Sequence, residues 1–134
     1  MSQGCGCVTA PVLVYSCSGG SNVGQMANEM AKSLGKMENV KMSCLAGVGG
    51  DISTFTESAR AAKGTVAIDG CGVACALKTM TRHGLRPTVH HVLTENGTRK
   101  NHDLEETDGV DRHLSSLLVE MTDLGLVDGE RDRQ

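Results

Sequence analysis

Short β-branched runs alternate with stretches of helical period along this chain, and that alternation constrains its fold more than any other feature. "PVLVYSC" (11–17) is a compact apolar run that breaks into the glycine-rich "SGGSNVG". In the "NVGQMANEMAKSLGKM" that follows, Val23, Met26, Met30 and Leu34 recur at helical spacing and Gly35 offers a stop. "NVKMSCLAG" (39–47) predicts a second strand. "DISTFTESARAAKG" predicts a helix capped by Asp51, with Ile52, Phe55 and Ala59 on one face and Gly64 at its end. "TVAIDG" predicts a third strand, followed by a helix from about Cys71 to His83, and "RPTVHHVLTENG" a fourth strand. The polar "TRKNHDLEETDG" leads into a last helix with Val110, Leu114, Leu117, Leu118 and Met121 on one stripe.

Strands joined through helices imply right-handed βαβ crossovers and parallel pairing. The expected architecture is a three-layer α/β/α sandwich around a mainly parallel sheet of about four strands, in the flavodoxin-like order 2-1-3-4. Residues 1–10 read as a flexible arm, 11–127 as one α/β domain and 128–134 as a frayed tail.

Composition narrows the function classes. Aromatic content is 1%, with Tyr15 and Phe55 the only members, so stacking platforms for nucleic-acid bases are nearly absent. The core must be aliphatic, with Met26, Met30, Met37, Met42 and Met80 as flexible filler. The net charge of -3 is spread along the chain, so nucleic acid is not an expected partner. No apolar run approaches the roughly 18 residues of a membrane helix. "MSQGCGCVTAPVLVY" also lacks the basic start and apolar stretch of a signal peptide. The expected compartment is the cytoplasm, where thiols stay reduced and six cysteines argue for metal or catalytic chemistry over disulfides.

The placement of the cysteines sharpens this. Cys17 ends the first strand, Cys44 comes late in the second, Cys71 follows the third and Cys75 lies one turn further on. Ligands of an open parallel sheet gather outside the carboxyl ends of its strands, so four thiols at that edge can converge. Convergent thiols suit tetrahedral zinc, at about 2.3 Å per Zn–S bond, and equally an iron–sulfur cluster. The start of the third helix is expected to favour the thiolate of Cys71. Inert burial of small thiols is the plainer alternative, and Cys71 with Cys75 as a redox dithiol is another.

"IDGCGVACA" resembles the central signature of the DGC-domain family, named for its Asp-Gly-Cys, here Asp69, Gly70 and Cys71. "CSGGSNVGQMA", "CLAGVGG" and "LTENGTRKNHDL" extend the resemblance from about Val12 to Leu118. Members are described as zinc binders, and the resemblance implies that Cys17, Cys44, Cys71 and Cys75 are the four chelating cysteines. It implies no particular reaction. The chain departs from the pattern at Gly72, Val73 and Ala74, where a proline and a polar residue are expected.

Other features have weaker chemistry. Gly19 to Gly24 has the spacing of a phosphate loop, but Gln25 and Met26 replace the lysine and hydroxyl residue that nucleotide hydrolysis requires. The amides of Asn22, Val23 and Gly24 are candidates for a small anion or a sulfur-containing ligand, against a plain turn capped by Ser21 or Asn22. Asp69 reads as a helix cap, or as a group that orients a ligand. His90 and His91 must face opposite sides of a strand. His83 and His113 read as structural. Cys5 and Cys7 read as an arm that meets metal opportunistically and oxidises first.

Overall fold

A computed structural model describes residues 10–128. Cys5 and Cys7, nearly all of the expected arm and nearly all of the expected tail lie outside the described residues.

Strand β1 (Val12–Ser16) and strand β3 (Gly64–Asp69) are buried at every position, as strands covered on both faces must be. They pair parallel to each other from Val12↔Gly64 to Ser16↔Ile68. The shorter β2 (Val40–Met42) and β4 (Val89–Val92) flank them, so the sheet is four-stranded, all parallel and ordered β2-β1-β3-β4. The order and the parallel pairing agree with the α/β sandwich expected from the sequence.

Helices cover both faces. On one, Val12, Val14, Val66 and Ile68 meet helix α1 (Asn22–Leu34) and the last helix, α5 (Val110–Asp123), through Met26, Met30, Leu117 and Met121. On the other, Leu13, Tyr15 and Ala67 meet Val48 of α2 (Leu45–Gly49), Ala59 of α3 (Ser53–Ala61), and Ala76 and Met80 of α4 (Cys75–Arg82). Methionine does fill gaps, since Met26, Met30, Met80 and Met121 are fully buried, although Met42 faces solvent.

Local chemistry sets the helix starts. Ser21 caps α1, its Oγ accepting from Gly24 N at 3.0 Å. Asp51 does not cap α3: it takes a left-handed backbone (φ 64) and the helix begins two residues later. The expected second strand stops at Met42, and α2 starts immediately after Cys44. Likewise α4 starts at Cys75, four residues later than expected, because Ala74 is left-handed (φ 58) and breaks the turn before it. Among the described residues no helix is long and apolar enough to cross a membrane.

Candidate metal centre

The carboxyl ends of β1, β2 and β3 place the candidate thiols. Cys17 prolongs β1, its N–H donating to Ile68 O at 3.0 Å, and its half-buried side chain packs against both cores. Its Sγ accepts from Gly70 N at 3.3 Å. Burial pushes the Cys17 thiol up from its ordinary value. The amides of Gly70 and Gly19 pull it back, while the charges of Asp69 and Cys75 add to the rise.

Cys44 is exposed at the N-cap of α2. It lines a cavity of about 450 Å³ together with Ser16, Cys17, Ser43 and Thr79. Cys71, half-buried, lies two residues beyond β3, and Cys75 is the exposed first residue of α4. Cys17, Cys71 and Cys75 line a second cavity of about 220 Å³ with Lys100, Gly19 and Gly20. Cys17 is thus common to both cavities. The helix start that was expected to serve Cys71 belongs to Cys75 instead.

Two glycines let the segments around Cys71 approach each other. A methyl at Gly24 would stand 2.4 Å from Gly19 O, and one at Gly70 would stand 2.7 Å from the Val23 carbonyl carbon. Gly19, Gly20 and Gly72 have open space instead, and the first two face the smaller cavity. Added methyls there would point into unoccupied room beside the thiols.

Asp69 is 1% exposed and reaches forward past the cysteine turn. Its Oδ1 accepts from Ala76 N at 2.7 Å and its Oδ2 from Leu77 N at 3.1 Å. It therefore replaces the side-chain cap that Ala74 cannot supply, and so fixes the helix end that bears Cys75. Oδ2 also meets His90 Nε2 at 2.8 Å. A carboxylate only accepts, so His90 Nε2 donates. His91, on the opposite face, bonds His113 Nδ1 at 2.9 Å, and His113 Nε2 meets Thr98 Oγ1 at 2.7 Å.

The loop after β4 completes the edge. Asn22 is 1% exposed, and it donates through its backbone N–H to Asn101 O at 3.0 Å and through Nδ2 to Arg99 O at 2.9 Å. Its Oδ1 accepts from Asn101 N at 2.6 Å. Both neighbours of Lys100 are thereby held by one buried side chain, and Lys100 Nζ donates to Cys71 Sγ at 3.5 Å. The same contacts bear on the expected anion loop. Asn22 N is engaged by Asn101 and Gly24 N by Ser21 Oγ, so two of the three candidate amides already face oxygens of the chain.

The donor set therefore suits a thiophilic metal, with four thiols on one edge. The side chains are not gathered around a point. Among the described residues no group of three or more His, Cys, Asp or Glu is placed to hold a metal ion. All four described cysteines are free. Sequence reasoning found the thiols through their positions at strand ends. It missed Lys100, whose only signal was the polar "LTENGTRKNHDL" itself, the hold of Asn22 on that loop, where the sequence had suggested an anion amide or a cap, and the bond of Asp69 to His90.

Comparison with known proteins supports the earlier resemblance. A family model described as the DGC domain matches residues 13–117. The anaerobic and virulence modulator AnvM of Pseudomonas aeruginosa is 40% identical over 121 residues, covering 89% of this chain and 88% of the relative. No solved structure matches the chain.

Proposed function

The chain belongs to the DGC-domain family, and on that premise we propose that it is a cytoplasmic zinc-binding protein whose metal is held by Cys17, Cys44, Cys71 and Cys75. The observation that carries this reading is the shared position of the four thiols: three line one cavity, and Cys17 joins it to the cavity of Cys44. Zinc would draw the four sulfurs together as thiolates. Cys44 and Cys75 are exposed and so have the freedom that such closure requires. Four protein ligands fill a tetrahedral zinc, which suits a structural or sensory role over a catalytic one. The name of the relative describes it as a modulator, in keeping with a sensory role.

A second reading uses the same thiols for an iron–sulfur cluster or for thiol-based sulfur chemistry. The Lys100–Cys71 contact favours it, since a cationic neighbour is a regular feature of reactive cysteines. Metal analysis of the full chain purified without oxygen separates the two. Stoichiometric zinc that is lost in each Cys→Ser variant supports the first reading. Iron with visible charge-transfer absorbance supports the second. Protein without stoichiometric metal, with all four thiols alkylated at once in the native state, overturns both metal assignments.

A further inference from the structure

Lys100 is a cationic side chain that touches a candidate thiol, and the backbone that carries it is built rather than incidental. The amide and carbonyl of Asn101 and the carbonyl of Arg99 are all bonded to buried Asn22, so the backbone on both sides of Lys100 is fixed. Thr98 is tied to His113 and to Arg112, and Arg112 also holds Asn96 O. The sulfur is placed as firmly. Gly70 packs against the backbone of Val23 and Gly24, and Gly70 O accepts from Thr94 N at 3.1 Å, which ties the cysteine turn directly to the lysine loop. Lys100 makes no ion pair with a carboxylate among the described residues, and its nitrogen points at Cys71 Sγ across 3.5 Å, beside a cavity that admits a small oxidant.

We propose that Lys100 and Cys71 form an oxygen-bridged covalent crosslink, Nζ–O–Sγ, with dioxygen as the oxidant. One N–H bond of the neutral amine, the S–H bond of Cys71 and the O–O bond break. An N–O bond and an O–S bond form, and the second oxygen atom leaves as water with the two hydrogens. Nitrogen and sulfur each give up two electrons, and dioxygen takes up all four. Two equivalents of a dithiol reductant return those electrons, restoring the amine and the thiol with release of a second water. The crosslink removes Cys71 from the ligand set. As regulation of the thiol edge, this consequence rests on the metal-binding reading, whereas the bridge itself does not require it.

The test uses the full chain, prepared without oxygen and then exposed to air with no added metal. The expected product is heavier by one oxygen less two hydrogens. A sulfenic acid combined with a disulfide elsewhere has the same mass, so proteolytic peptides must show residue 71 joined to residue 100. That peptide should disappear in Lys100→Arg and Cys71→Ser, and dithiothreitol should reverse it in the parent. Lys100 is exposed, so the arginine variant is expected to fold. Cys44→Ser should keep the crosslink even while it loses zinc, which separates failure of the bridge from failure of the metal reading. If air yields only disulfides, or oxidises Cys71 equally in the parent and Lys100→Arg, the proposal is overturned.

Discussion

Gly70 and Gly72 flank Cys71, and a methyl group added to each would meet opposite surroundings. At Gly70 it would lie 2.7 Å from the Val23 carbonyl carbon and 2.8 Å from Gly24 N, which are backbone atoms with no rotamer to yield. At Gly72 nothing stands within 4 Å. Overpacking of this kind costs about 1–3 kcal/mol, whereas an unhindered surface change stays within about 0.5 kcal/mol. Gly70→Ala should therefore lower the urea midpoint clearly and Gly72→Ala should leave it almost unmoved; equal effects would mean the α1 start does not pack on the cysteine turn as described. At this scale the sequence was readable where chemistry coincides with a pattern. The thiols of Cys17, Cys44 and Cys71 stand out because each closely follows a short run that reads as a strand. Lys100 does not, nor does the hold of Asn22 on its neighbours, because Asn22 reaches Arg99 and Asn101 by hydrogen bonds across 77 and 79 residues, and polar loops carry no period from which such a pairing can be read.

Helix α4 shows how an element can depend on a residue outside it. It starts after a left-handed Ala74, a conformation that costs roughly 1 kcal/mol for a residue with a Cβ. It has no side-chain cap of its own, and Asp69 supplies acceptors for the Ala76 and Leu77 amides from the end of β3. Hydrogen bonds to a charged partner contribute about 1.5–3 kcal/mol each, and buried amides left bare lose most of that. Asp69→Ala should thus destabilise the protein by about 3 kcal/mol in urea unfolding and speed alkylation of Cys75 as the first turn frays. A variant of parental stability would show that water replaces the carboxylate, so that Asp69 serves His90 alone. Most elements were legible: bounded β-branched runs marked the strands, and long periodic stretches marked α1 and α5. The misses have a common cause in short-range backbone geometry. The five residues of α2 include two glycines and too few turns for a period, and the left-handed residues Asp51 and Ala74 displace the starts of α3 and α4.

Across the whole molecule, the paired histidines of β4 divide between the two faces of the sheet. His90 turns to Asp69 on the α4 side, and His91 turns to His113 of α5 within the other layer. His91 is 4% exposed, and burial, with the nearby His113 and His90, lowers it from an ordinary 6.5 to about 4. His113, 1% exposed, is lowered too, by burial and by the Arg112 guanidinium. The folded protein thus holds this pair neutral at a pH where the unfolded chain already binds protons. Its contribution to stability is complete above about pH 6.5 and declines as pH falls through the folded value of about 4. At about 1.4 kcal/mol for each pH unit in that window, His91 alone makes up about 3 kcal/mol of acid sensitivity, and His113 adds to it in the same direction. The loss would act between layers, since the pair joins β4 to α5 and, through Thr98, to the loop bearing Lys100. Urea titrations of the parent and of His91→Gln, from neutral pH down to about 4, isolate this effect from that of the carboxylates. Stability of the parent should fall more steeply than that of the variant, which has no imidazole to charge at that position. Parallel curves would mean that His91 takes up its proton without leaving the fold, and that α5 is not held to the sheet by a neutral histidine pair.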